Sequence, residues 1–134
     1  MRSRPITLAL MALLAVCIMA SAVEAAPLPT GTWSCASNGF PGNFIISAVS
    51  GAGVLTSTFF GNPVFGTYDS NANRITFLRQ GPGDSSTDQT YVGYLFSTSA
   101  PPNTYLTGYF IALPGTGGTA ARPEYGWACA FVGP

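Results

Sequence analysis

Glu124-Tyr125-Gly126-Trp127-Ala128-Cys129-Ala130-Phe131, close to the end of the chain, decides the fold when it is set against Gly31-Thr32-Trp33-Ser34-Cys35-Ala36-Ser37 near its start. Both stretches are rich in strand formers, and side chains along a strand alternate between two faces. Suppose the two pair antiparallel with Cys35 opposite Cys129. Trp33 then falls opposite Phe131 and Ser37 opposite Trp127, all on the cysteine face. The other face carries only Ser34, Ala36, Ala128 and Ala130. One face is large and aromatic and the other small throughout, as a closed barrel with its aromatic face inward requires. A cross-strand disulfide is feasible between such closely spaced residues.

Between these two stretches, apolar and aromatic runs alternate with turn residues at short intervals, the pattern of an all-β domain. The expected strands are 31–37, 43–50, 53–60, 63–69, 74–79, 89–97, 104–113 and 124–131. Turn chemistry separates them: Asn38-Gly39 with Pro41-Gly42, Ser50-Gly51, Gly61-Asn62-Pro63, Asp69 to Asn73, Gly81-Pro82-Gly83, Pro101-Pro102-Asn103 and Gly115 to Gly118. Gly66, Gly93, Gly108 and Gly126 each sit beside aromatic residues and read as bend points in strands whose neighbours fill a core. The expected fold is therefore an all-β, eight-stranded antiparallel up-and-down barrel closed by one disulfide. A β-sandwich of immunoglobulin type is the alternative; it also joins distant cysteines, but with a Trp between them. Here Trp33 precedes Cys35, and the next Trp is Trp127.

Residues 1–25 read as a signal peptide. Arg2 and Arg4 form a basic start, Ile6 to Ala20 is an apolar run, and Val23-Glu24-Ala25 supplies small residues for cleavage before Ala26. An apolar run of roughly 15 residues is short for a membrane span. A secreted or periplasmic location follows, with no membrane attachment after cleavage. Cys17 leaves with the leader, so Cys35 and Cys129 remain as a pair and read as a disulfide in an oxidising compartment. Residues 26–134 suffice for a single domain. Their three arginines (Arg74, Arg79, Arg122) face four acids (Asp69, Asp84, Asp88, Glu124), so no basic surface exists to hold nucleic acid.

The chain has no His and no Lys. That excludes Ser-His-Asp and Cys-His pairs, Schiff-base chemistry and imidazole metal sites. Carboxylate pairs remain for an enzyme, and a loop calcium site at Asp84 and Asp88 is weighed against plain solvated charge; neither metal nor cofactor is expected. Gly115-Thr116-Gly117-Gly118-Thr119 reads as a hairpin loop, since no helix pattern follows to make a phosphate cradle. Arg122 and Glu124 read as a surface ion pair.

Gly31-Thr32-Trp33 resembles the Gly-x-Trp signature that opens the first strand of calycins, the superfamily of lipocalins and avidins. Thr56-Ser57-Thr58-Phe59 and Phe65-Gly66-Thr67-Tyr68-Asp69-Ser70 look like segments of the third and fourth strands of avidin-type barrels. The resemblance implies an eight-stranded barrel with a ligand cavity at its mouth; a buried arginine stacked on Trp33, as at the base of lipocalin barrels, is the alternative to the surface ion pair for the three arginines. Cys35 and Phe59 stand where avidins carry biotin-contacting Asn and Tyr, so biotin is not the expected ligand.

Function reads as non-enzymatic. Tyr91, Tyr94, Tyr105, Tyr109 and Trp127 carry polar tips on apolar bodies, suiting either a core edge or a ligand wall. The expected ligand-binding residues are Trp33, Phe59, Tyr91, Tyr109 and Trp127, around a small apolar or amphipathic molecule. The alternative partner is an extracellular protein, as for an enzyme inhibitor acting through its loops. An eight-stranded barrel is just wide enough to be filled or to hold one small ligand. A filled interior favours the second reading.

Overall fold

The computed structural model describes residues 25–81, 88–99, 103–112 and 124–134. Their strands are β1 (Gly31–Ser37), β2 (Phe40–Val49), β3 (Leu55–Phe59), β4 (Asn62–Asp69), β5 (Arg74–Arg79), β6 (Gln89–Ser97), β7 (Thr104–Ala112) and β8 (Glu124–Gly133). Each pairs antiparallel with the next, and β1 pairs with β8, so the sheet closes into a barrel. The expected leader lies outside the described residues apart from Ala25, as do Asp84, Gly115 to Thr119 and Arg122.

The closing seam has the register that the two cysteine stretches imply. Cys35 stands opposite Cys129 and is disulfide-bonded to it, Trp33 opposite Phe131, and Ser37 opposite Trp127. Trp33, Cys35, Ser37, Trp127 and Cys129 are buried, whereas Ser34, Ala36 and Ala128 face out. A sandwich would place the first and last strands without such a ladder, so the sandwich alternative falls.

Where strand bounds differ from expectation, turn geometry is the reason. β2 begins at Phe40 rather than Asn43 because Asn38 and Gly39 alone make the turn, with φ of 49° and 81°. Phe60 and Gly61 make the next one, with φ of 51° and 77°, so β3 stops at Phe59 and β4 starts at Asn62. Two consecutive positive φ values give the hairpin turn whose twist matches that of its strands. Asn38 tolerates this backbone, but a bulky Phe pays about 1–2 kcal/mol for it. Tertiary packing holds Phe60 there: its ring lies 4.7 Å from that of Phe59 and fills the space above Gly42, where any side chain would collide with it.

The interior is packed with rings. Phe77, Tyr91 and Phe110 stack in a column with centroids 4.7 Å apart at each step. The Trp127 indole stands nearly perpendicular to Phe59, Phe77 and Tyr91, at 5.6–5.9 Å. Phe44 meets Phe59 edge-on at 5.2 Å. Edge-on and offset contacts at these distances each add about 0.5–1.5 kcal/mol beyond area burial. Three of the four glycines expected as bend points make room for this packing. A methyl at Gly66 would strike Phe77, at Gly93 the Trp127 ring, and at Gly108 the Val92 carbonyl; Gly126 alone has open space beside it.

Residues 26–30 close one end of the barrel. Leu28 is buried, the Trp33 indole N–H donates to the Pro29 carbonyl at 3.3 Å, and the Tyr68 hydroxyl donates to the Ala26 carbonyl at 2.6 Å. The Ala26 amide donates to Asn73 Oδ1 at 3.3 Å. This end also carries the β2–β3 and β4–β5 turns. The Asn38-Gly39 and Phe60-Gly61 turns lie at the opposite end.

Candidate functional site

Inward positions continue to the very ends of the strands, so the last inward residue of a strand stands at the barrel's rim. At the Asn38 end β5 runs Ile75, Phe77, Arg79 on its inner face, and β6 opens with Gln89 and Tyr91. β1 contributes Ser37 and β7 ends with Phe110 and Ala112. Apart from Ile75 and Phe77, which are core, these residues line a recess of about 600 Å³ together with Phe40, Phe60 and Tyr125.

Polar atoms cross its floor in one connected chain. Arg79 donates through Nη1 to Gln89 Oε1 at 3.0 Å and through Nε to the Phe59 carbonyl at 3.3 Å. The Tyr91 hydroxyl donates to the same Gln89 Oε1 at 2.8 Å. That uses the only Tyr91 hydroxyl hydrogen, so the 3.3 Å contact between Ser37 and Tyr91 must be donated by Ser37. Two donors converging on one Gln89 atom fix that atom as oxygen and leave the Gln89 NH2 as a further donor. Burial raises the Tyr91 phenol above its ordinary value, opposed by the Ser37 hydrogen bond and the Arg79 charge. The phenol is therefore neutral at physiological pH. Arg79 also lies over the Phe60 ring, 5.9 Å from its centroid.

The expected ligand residues separate in space. Trp33, Phe59 and Trp127 are core, at 0 %, 0 % and 2 % exposure. Tyr91 is also almost wholly buried but reaches the recess through its hydroxyl. Tyr109 stands on the outer face at 42 % exposure, because its neighbour Phe110 takes the inward position. The lipocalin-like arginine on Trp33 is not found at the described arginines: Arg79 sits with Phe60 at the opposite end, and Arg74 is exposed. Asp88 is buried and accepts the Gly81 amide at 3.0 Å, and Asp69 accepts the amides of Asn71 and Ala72. These two acids stand at opposite ends of the barrel. No cluster of three metal-ligating side chains occurs among the described residues.

Of the expected ligand-binding residues only Tyr91 lines the recess; Ser37, Phe40, Phe60, Arg79, Gln89, Phe110, Ala112 and Tyr125 were not among them. The period-two pattern Ile75-Phe77-Arg79 carried a signal for Arg79. Phe60 had none, since nothing local marks a phenylalanine for a left-handed turn.

No family model, curated protein or solved structure matches this chain.

Proposed function

We propose that this chain is an exported, non-enzymatic binding module of calycin-like architecture that takes a small amphipathic molecule in the recess at its Asn38 end. The observation that carries this reading is the recess itself, where a connected polar chain meets Phe40, Phe60, Phe110 and Tyr125. The lumen is taken up by the ring column, so the ligand sits at the mouth rather than in the barrel. Closure of eight strands and the Gly31-Thr32-Trp33 opening support the calycin comparison. The leader-like start of the chain and the Cys35–Cys129 disulfide support export.

Native mass spectrometry of the exported protein, followed by titration with the neutral fluorescent probe N-phenyl-1-naphthylamine, tests the proposal. Wild type should enhance the probe's emission, and Ala112→Trp, which fills the recess, should abolish the enhancement while retaining the fold. A wild type with no bound mass and no response to the probe removes the reading.

The filled interior favours a second reading, a protein-interaction module acting through the same end, where Phe40 is 69 % exposed. An extracellular protein partner that binds wild type and the Ala112→Trp variant equally well, but not Phe40→Ser, would select it.

A further inference from the structure

We infer that the ligand of the recess is an amphipathic anion, an apolar or aromatic body carrying a carboxylate or similar group that Arg79 and Gln89 receive. This inference rests on the mouth-binding reading and names the chemistry of its ligand. The argument is one of donors and acceptors. A guanidinium has five N–H donors and accepts nothing, and here two of them go to Gln89 Oε1 and the Phe59 carbonyl. Ser37 donates to Tyr91, and Tyr91 to Gln89 Oε1. Gln89 Oε1 thus already accepts two hydrogen bonds, while among the described residues three guanidinium N–H groups and the Gln89 NH2 group remain as donors against the lone pairs of the Ser37 and Tyr91 hydroxyls. The recess holds a surplus of donors, and a ligand completes it by bringing acceptors.

Charge points the same way. Among the described residues the partners of Arg79 are a carbonyl, an amide and an aromatic ring, none of them anionic. The Asp88 carboxylate is engaged with the Gly81 amide, and Glu124 at the start of β8 is exposed. A half-buried cation with no anionic partner among the described residues, beside apolar surface, favours an anion more than an exposed one does, because water screens it less. The fork of the guanidinium suits a planar two-oxygen group, and the guanidinium lies over the Phe60 ring. Phe60 thus links the strained turn to the site: the packing that holds its backbone also sets the ring beneath the arginine. The apolar part of the ligand then lies against Phe60, Phe110 and Tyr125.

Calorimetric titration with 2-naphthoate and its neutral isostere 2-naphthamide decides the matter. Wild type should bind the acid about tenfold or more tightly than the amide, as a charge-assisted contact in a half-buried site implies. Raising the salt concentration should shrink that preference without changing affinity for the amide. Arg79→Gln should abolish the preference, so that acid and amide bind alike. Arg79→Lys, which keeps the charge but loses the fork, should fall between the two and serves if the glutamine variant does not fold. Equal binding of both probes by wild type overturns the anion inference and leaves the mouth-binding reading standing. Binding of neither probe overturns both.

Discussion

The indole of Trp127 lies across the Cα of Gly93, and its N–H is shared between the carbonyls of Val92, at 3.0 Å, and Tyr109, at 3.2 Å. Gly93 stands opposite Gly108 in the β6–β7 ladder, so two facing positions without side chains open a flat window for the ring. Gly93→Ala would put its methyl into the indole. We expect a loss of about 1–3 kcal/mol, the usual cost of overpacking a filled core, measured by urea unfolding. The Trp127 emission should shift as well. An unchanged midpoint would mean that the window has slack.

The Cys35–Cys129 bond ties residues 94 apart in sequence across the barrel seam. Cys35→Ala with Cys129→Ala should cost up to about 4–5 kcal/mol on the chain-entropy account of a loop that long. The seam keeps its hydrogen-bond ladder, so the double variant should remain a closed barrel at low temperature. Circular dichroism and unfolding in parallel check both halves.

Tyr91 and Tyr68 both have phenols raised by burial, with Asp69 adding to the effect at Tyr68. In the unfolded chain they ionise near the ordinary value of about 10. The native state therefore holds protons that the unfolded state releases above that pH. Their contribution to stability is complete below about pH 10 and declines as pH climbs towards the raised native values. The stability lost between pH 8 and pH 11 should be smaller in Tyr91→Phe and Tyr68→Phe than in wild type. Equal losses in all three proteins would remove these tyrosines as the cause.

Ser57 Oγ is buried among the inward residues of β3 and meets no hydrogen-bond partner among the described residues. An unsatisfied buried hydroxyl costs about 1–3 kcal/mol. Ser57→Ala should consequently raise stability, by about 1 kcal/mol once the small void is allowed for. Destabilisation instead would indicate a bound water serving that hydroxyl.

Leu28 is the buried residue of the 26–30 segment that covers one end of the barrel, where the Trp33 indole donates to the Pro29 carbonyl. Leu28→Ala should cost about 2–3 kcal/mol as a core truncation. Quenching of Trp33 by acrylamide should rise; no change in quenching would show that the segment does not shield it.

The strand order, the inward aromatic face and the Cys35–Cys129 register were legible in the sequence, because each rests on period-two alternation and short turns, both local properties. The pairing of Trp33 with Phe131 followed arithmetically from the disulfide. Only the tertiary structure decided that the interior is full, since ring packing depends on how Phe77, Tyr91, Phe110 and Trp127 from four strands share one volume. The same holds for the recess. Ser37, Arg79 and Gln89 are ordinary strand-end residues in sequence; Arg79 and Gln89 face each other across the β5–β6 hairpin, and only closure of the barrel brings Ser37 of β1 to Tyr91 and joins them into one polar chain. Phe60 shows the limit most sharply: local propensity argues against phenylalanine at a positive φ, and the packing of its ring on Phe59 and over Gly42 outweighs that preference.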